Sequence, residues 1–188
     1  HITQYYDRID PTMCEAFCYF DLSSKEKEQN DWNAVVTILR EKNTGKLYTV
    51  DPQRMKGKIE GVIEFAINYY LAHKHIMIGI ESNNFQIWFF QLLQAECTRR
   101  RIYMPIIPIE QIKDKTTRAK SVAVYSENGT VLFNKAYQDF NAEIIQFPKA
   151  EHDDWTDSYV EGVKLAMGMD TGSKSIQTRK GISYGESY

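Results

Sequence analysis

The spacing of the apolar residues changes once along this chain, and that change restricts the folds the chain can adopt. Residues 14–21, 32–39 and 47–50 have the patterns of short β-strands, and a turn signal at residues 43–45 precedes the third. Short connections of this kind predict an antiparallel meander. From Ile59 the apolar residues recur at helical spacing and predict an amphipathic helix of about four turns.

The rest of the chain alternates between helices and strands. Residues 75–80 are apolar on both faces, as in a central parallel strand. Residues 102–107 predict a fifth strand, broken by Pro105 and ended by Pro108. Further helices are predicted over residues 85–100, 114–126, 140–146 and 153–167, with a short extended piece at residues 131–133. This order indicates an α/β fold of the ribonuclease H-like type, with a mixed sheet of three antiparallel strands followed by parallel strands, flanked by helices.

Acidic residues stand where these elements end or begin. Asp21 closes the first strand and Glu81 closes the fourth, and the two strands are neighbours in a ribonuclease H-like sheet. His152, Asp153 and Asp154 open the last helix, with Asp157 one turn further on. Carboxylates repel one another unless a cation neutralises them, so their convergence predicts a site for two Mg²⁺ or Mn²⁺ ions.

The three acids of the last helix differ in their expected orientation. A buried stripe is expected at Thr156, Val160 and Val163, and a step of three residues back from Thr156 reaches Asp153. We therefore rank the metal candidates as Asp153, then Asp154, then Asp157. An acidic helix start favoured by the helix dipole is the alternative. The roles of Asp31 and His152 stay open.

Basic residues are segregated from the acids. The net charge is −2, which is low for a nucleic-acid-binding protein, but bases gather at residues 99–101 and 113–120. Lys115 and Arg118 lie three residues apart on one helix face, where they are expected to contact phosphates without distinguishing bases. A solvated basic face is the alternative explanation.

Length and composition fit one domain, which we place at residues 1–170. Residues 171–188 are rich in Gly, Ser and Thr, and we expect a flexible tail. No segment approaches the ~18 apolar residues of a membrane span, so no membrane partner is expected. The three cysteines lack further soft ligands nearby and are expected to be free core residues. A first residue of His rather than Met suggests a piece of a longer protein.

Several motifs together resemble the C-terminal nuclease domain of the large terminase subunit of tailed bacteriophages. They cover residues 14–167 in the order of that family. The matching segments are residues 20–23 (Phe-Asp-Leu-Ser), 31–36, 80–83 (Ile-Glu-Ser-Asn), 115–118, 126–133 and 147–157.

The resemblance implies a metal-dependent endonuclease that cuts concatemeric double-stranded viral DNA during genome packaging, with low sequence specificity and a two-metal-ion mechanism. It implies Asp21, Glu81 and Asp153 as catalytic metal-binding acids, Asp154 as a further ligand, and Lys115 with Arg118 near the DNA. The implied partners are an ATPase motor domain of the same subunit, the small terminase subunit and the portal, in the host cell cytoplasm. The motor itself is not expected here, because Gly168–Lys174 does not have the spacing of a phosphate-binding loop.

Two other functions remain open from the residues alone. One is another ribonuclease H-like nuclease, such as a junction resolvase or a transposase core, and a resolvase would prefer four-way junctions. The other is a non-catalytic DNA-docking module, which would bind no divalent ion. The acids at three converging positions favour a nuclease over the docking module.

Overall fold

The computed structural model describes residues 4–22, 32–82, 84–110 and 114–169. Asp31 and the predicted tail at residues 171–188 lie outside these ranges. The strands are β1 (Cys14–Phe20), β2 (Asn33–Glu41), β3 (Leu47–Met55), β4 (Met77–Glu81), β5 (Ile106–Ile109) and β6 (Val131–Leu132). The α-helices are α1 (Ile59–His73), α2 (Asn84–Arg100), α3 (Lys115–Glu127), α4 (Gln138–Gln146) and α5 (Asp154–Met167), and a short 3-10 helix spans Pro11–Met13.

The six strands form one mixed sheet in the order β5-β4-β1-β2-β3-β6. β2 pairs antiparallel with both β1 and β3. β4 lies parallel between β1 and β5, and β6 lies parallel to β3. The predicted α/β class, the antiparallel start and the pairing of the first and fourth strands are therefore confirmed.

The predicted bounds of β5 were wrong. The strand covers Ile106–Ile109 rather than residues 102–107, and Pro108 lies inside it opposite Ile80. Ile102 instead hydrogen-bonds back to Cys97 at the end of α2, which keeps it out of the sheet. Because β5 is an edge strand, Pro108 is tolerated there.

β3 is longer than predicted and runs through Pro52 to Met55. Its first two residues pair with β6, while the remainder pairs with β2 alone, so the second half is an edge that accepts Pro52. Asp51 has a positive φ of 49°, and the pairing with β2 shifts register between Val35 and Thr37. The extension carries β3 to the sheet edge at which β1 ends.

Helices cover both faces of the sheet. Val62, Ala66 and Ile67 of α1 pack with Phe89 and Leu93 of α2 against one face. On the other face lies α5, whose buried side is nearly continuous. Within the described ranges, no helix combines the length and apolar character that crossing a membrane requires.

Small side chains let α5 lie close to β1 and β2. A Cβ added at Gly162 would lie 3.0 Å from Cγ1 of Ile38. One turn earlier, the buried Ser158 hydroxyl donates to the Tyr19 carbonyl (2.7 Å) and accepts from the Val36 amide (2.9 Å). These contacts fix the start of α5 over the carboxyl end of β1.

The cysteines are free thiols, as predicted. Cys18 and Cys97 are buried, and Cys14 is half-buried at the start of β1.

Candidate metal centre

Asp21 and Glu81 lie at the ends of neighbouring parallel strands. Phe20 pairs with Ile80, and the two acids lie at or directly after these paired ends. Asp21 is held by two backbone hydrogen bonds to Ala34, at 3.0 and 2.9 Å, which extend the β1–β2 ladder by one bridge. The expected convergence of these strand ends is present in the fold.

The carboxylate of Asp21 lies in a field of other acids. Burial raises its pKa well above the ordinary value, and the charges of Asp157, Asp154 and Glu81 raise it further, whereas Lys115 lowers it. These charges come from β4 and from the start of α5. The fold therefore brings the three groups of acids predicted from the sequence to one sheet edge.

The ranking of the α5 acids as metal ligands stays a prediction, but these acids differ in their surroundings. Asp157 and Asp154 are the α5 residues that act on Asp21, while the side chain of Asp153 is 55% exposed. Thr156, Val160 and Val163 are buried as expected. Asp153, however, is the N-cap residue with φ −141° and ψ 12°, so helical spacing does not extend to it.

Lys115 lies between two of these acids. Its Nζ is 2.6 Å from Oδ2 of Asp153 and 2.7 Å from Oδ2 of Asp157. Burial acts to lower the pKa of Lys115, but the carboxylates of Asp157 and Asp153 outweigh it, so the pKa is raised. Lys115 is therefore a charged ammonium group at the acidic edge.

Arg118 is enclosed rather than open to solvent. It is 6% exposed, and its guanidinium contacts Glu161 (2.8 Å) and Asp157 (3.1 Å). Glu161 is fully buried and is also bound by Lys164 at 2.9 Å. In this arrangement Arg118 orients Asp157, and contact between Arg118 and DNA stays a prediction.

No role was predicted for Glu161, and Asp157 has the last place in the predicted ranking of the three acids. A signal for both was present, because Asp157 and Glu161 are four residues apart and therefore lie in a stripe on one helix face. That stripe faces the basic stripe formed by Lys115 and Arg118 on α3. Matching two charged stripes on separate helices would have located both acids.

The donor chemistry of this edge suits hard divalent cations. Asp21, Glu81, Asp154 and Asp157 supply carboxylate oxygens, the ligands that Mg²⁺ and Mn²⁺ prefer. In the part of the chain that the structure describes, no three His, Cys, Asp or Glu side chains lie close enough to hold an ion. Three of these carboxylates could hold one ion only after their side chains move closer together. In this structure the Lys115 ammonium pairs with two acids of the edge, Asp153 and Asp157.

Solved structures show the same fold. The human cytomegalovirus terminase nuclease domain has a TM-score of 0.63 at 9% identity, covering 87% of this chain and 90% of that one. The same domain, Mn-soaked and inhibitor-bound, has a TM-score of 0.58 at 10% identity, with the same coverage. The P22 large terminase nuclease domain has a TM-score of 0.59 at 11% identity, covering 90% of this chain and 89% of that one. The HK97 bacteriophage large terminase has a TM-score of 0.56 at 11% identity. That match covers 91% of this chain and 41% of the HK97 chain.

The fold and the acidic edge thus define a ribonuclease H-like domain. The sequence model of the terminase RNaseH-like domain family matches residues 18–179, and the chain belongs to that family. The match extends past residue 170, where we expected the domain to end. No curated protein sequence matches the chain.

Proposed function

We propose that this domain is a divalent-metal-dependent endonuclease that cuts concatemeric double-stranded viral DNA during genome packaging. The main support is the environment of Asp21, a desolvated carboxylate at a strand end that Asp157, Asp154 and Glu81 all repel. Such a cluster is unfavourable without a cation and becomes favourable with one. Membership of the terminase RNaseH-like family and the Mn-soaked relative support the same function.

The proposed ligands of two Mg²⁺ or Mn²⁺ ions are Asp21, Glu81, Asp153 and Asp154. Asp157 is an alternative ligand to Asp153. Bound ions of this kind lower the pKa of an attacking water and stabilise the leaving oxygen. The protein's part is to fix the carboxylates. β1 and β4 fix Asp21 and Glu81 through the sheet, while Arg118 fixes Asp157. Lys115 and Arg118 are proposed to assist phosphate binding without distinguishing sequences.

The remaining parts of the proposal concern the assembly. The chain spans less than half of the HK97 large terminase, and we propose that an ATPase motor domain belongs to the same subunit. The small terminase subunit and the portal are the further proposed partners. The proposed setting is the host cell cytoplasm.

Plasmid digestion tests the proposal. The unsubstituted domain should cut supercoiled and linear duplex in Mn²⁺ or Mg²⁺ and should not cut in EDTA. Asp21→Ala and Glu81→Ala should abolish cutting, because each removes a ligand. Glu41→Ala is a control, since Glu41 lies opposite Cys14 at the other end of the sheet and should keep full activity.

Two results would contradict the proposal. Cutting that persists in Asp21→Ala or Glu81→Ala would show that the ions are held elsewhere. A strong preference for four-way junctions over linear duplex would instead indicate a junction resolvase.

A further inference from the structure

The first turn of α5 is capped by a residue from another helix. The first amides of an α-helix have no partner within it, and the side chain of the N-cap residue usually accepts from the amide two or three residues further on. Asp153 is the N-cap residue of α5, and the amide three residues after it belongs to Thr156. That amide donates at 2.9 Å to Oε1 of Glu143, which lies in α4. Glu143 therefore takes the place of the N-cap side chain.

The Asp153 carboxylate is not used as a cap. Within the described residues it accepts no capping hydrogen bond from α5, although aspartate is among the most favoured N-cap residues. Its Oδ2 lies instead 2.6 Å from Nζ of Lys115, and the side chain is exposed. The carboxylate is thus directed to the acidic edge rather than to the helix amides.

Glu143 is held in position by contacts on its other side. It is buried, and its second carboxylate oxygen, Oε2, lies 3.5 Å from Nη1 of Arg54 on β3. The Arg54 guanidinium carbon lies 4.0 Å from the ring centroid of Trp155, whose indole N–H donates to the Gln53 carbonyl at 3.0 Å. Glu143 therefore connects α4 and β3 to the first turn of α5.

Glu143 also lies close to the candidate metal ligands. Burial raises the pKa of Glu143 above its ordinary value, against the hydrogen bond from the Thr156 amide. The charge of Asp154 raises this pKa further, whereas that of Arg54 lowers it. Glu143 is thus within electrostatic reach of the acidic edge without being one of its proposed ligands.

We propose that Glu143 is a positioning residue of the metal centre, which caps α5 in place of Asp153 and so leaves the Asp153 carboxylate available to bind a divalent ion. This inference rests on the proposed function, because it assumes that Asp153 is a ligand. Without Glu143 the buried Thr156 amide would lack this acceptor, and the Asp153 carboxylate could turn to it. A carboxylate used in this way would bind the ion more weakly.

The test measures Mn²⁺ binding without DNA by isothermal titration calorimetry. Glu143→Ala should raise the Kd for Mn²⁺ about tenfold, the effect expected when a residue that orients a metal ligand is lost. Glu143→Gln should keep the Kd close to that of the unsubstituted domain, because its amide oxygen can still accept from Thr156. Circular dichroism checks that each variant is folded at the temperature of the titration.

Tyr6→Phe is the matched control for lost stability. The Tyr6 hydroxyl donates at 2.7 Å to the Thr49 carbonyl, so this substitution also removes a buried hydrogen bond between a side chain and the backbone. Tyr6 packs with Ala16 and Leu39 near the start of β1, away from the acidic edge. Tyr6→Phe should therefore lower the thermal midpoint, as Glu143→Ala should, but leave the Kd for Mn²⁺ unchanged.

A double variant tests whether Glu143 acts through Asp153. Asp153→Ala alone should weaken Mn²⁺ binding. Adding Glu143→Ala should cause no further change in the Kd, because no Asp153 carboxylate remains to be diverted to the helix amides.

Three results would overturn the inference. The first is equal Mn²⁺ affinity in Glu143→Ala and Tyr6→Phe, which would leave Glu143 with a role in folding alone. The second is an equal loss of affinity in Glu143→Gln and Glu143→Ala, and the third is additive effects in the double variant. If the unsubstituted domain binds Mn²⁺ and cuts plasmid, these results reject the inference alone. If it neither binds Mn²⁺ nor cuts, the proposed function fails as well.

Discussion

The hydroxyl of Ser158 makes the most direct link between the fold and the acidic edge. Ser158 is fully buried, and its Oγ connects the Tyr19 carbonyl to the Val36 amide. The β1–β2 register places these two residues opposite each other. Ser158 thereby attaches α5 to the two strands beside Asp21, and Ser158 directly follows Asp157 in the sequence.

Ser158→Ala should therefore lower the free energy of unfolding substantially. The substitution leaves a buried N–H and a buried C=O without their partner, and each such group costs about 1–3 kcal/mol. The expected loss is the sum for the two groups, about 2–6 kcal/mol. This is a large part of the ~5–15 kcal/mol of a typical domain. Mn²⁺-dependent cutting should also slow, because α5 loses its attachment over Asp21.

Urea denaturation followed by circular dichroism measures the loss, and an unchanged m-value shows that the same surface unfolds. Ser121→Ala is the control, because the Ser121 hydroxyl donates to the Arg118 carbonyl within α3 and crosses no interface. Its effect should stay within about 0.5 kcal/mol. A loss below about 1 kcal/mol for Ser158→Ala, or one equal to that of the control, would refute the reasoning that the bridge holds α5 in place.

Three further predictions concern Asp21, His75 and Gly79. Asp21→Asn should raise the thermal midpoint in EDTA, because ionisation of Asp21 costs more free energy in the folded state than in the unfolded chain. The substitution should also abolish the stabilisation by Mn²⁺, which in the unsubstituted domain is about 2.7 kcal/mol at an ion concentration of one hundred times Kd. Calorimetry that shows equal Mn²⁺ stabilisation of both proteins would contradict this prediction. His75, 2% exposed, has its pKa lowered to about 3 by burial, so the unfolded chain takes up the proton first as the pH falls below 6.5. Stability should then fall by up to about 1.4 kcal/mol per pH unit from this residue, and urea titrations of His75→Gln should show a shallower pH dependence. Gly79→Ala should lower the free energy of unfolding by about 1–3 kcal/mol in urea denaturation, because the added Cβ would lie 2.6 Å from Ile109 and 2.8 Å from Tyr19. An unchanged free energy of unfolding would show that this part of the core adjusts to the extra methyl group.

The sequence predicted most of the architecture because most of it depends on local patterns. The amphipathic spacing that begins at Ile59 produced α1, and the apolar run before Glu81 produced β4 beside β1. The errors lie where tertiary position overrides local preference. Pro108 was predicted to end the fifth strand, but it lies inside β5 on the free edge of the sheet, where no amide hydrogen is needed.

The candidate site was predicted in part for the same reason. Asp21 and Glu81 follow from the strand order alone, since the topology fixes which strand ends are neighbours. The orientation of the α5 acids depends on where the helix begins, and Asp153 lies one residue before α5 rather than inside it. The burial of Arg118 depends on how α3 packs against α5, which no single-helix pattern contains.

Net charge is a poor guide to ligands in this protein because acids and bases meet at the same sheet edge. The acids that could hold cations converge at one sheet edge. The net charge of the chain is only −2, because bases elsewhere in the sequence offset most of the acidic charge. Lys115 lies on the α3 side of that edge. Bound divalent ions would reverse the sign of the centre. The local charge of this edge, with or without bound ions, therefore decides whether DNA can approach it, and the net charge of the whole chain does not.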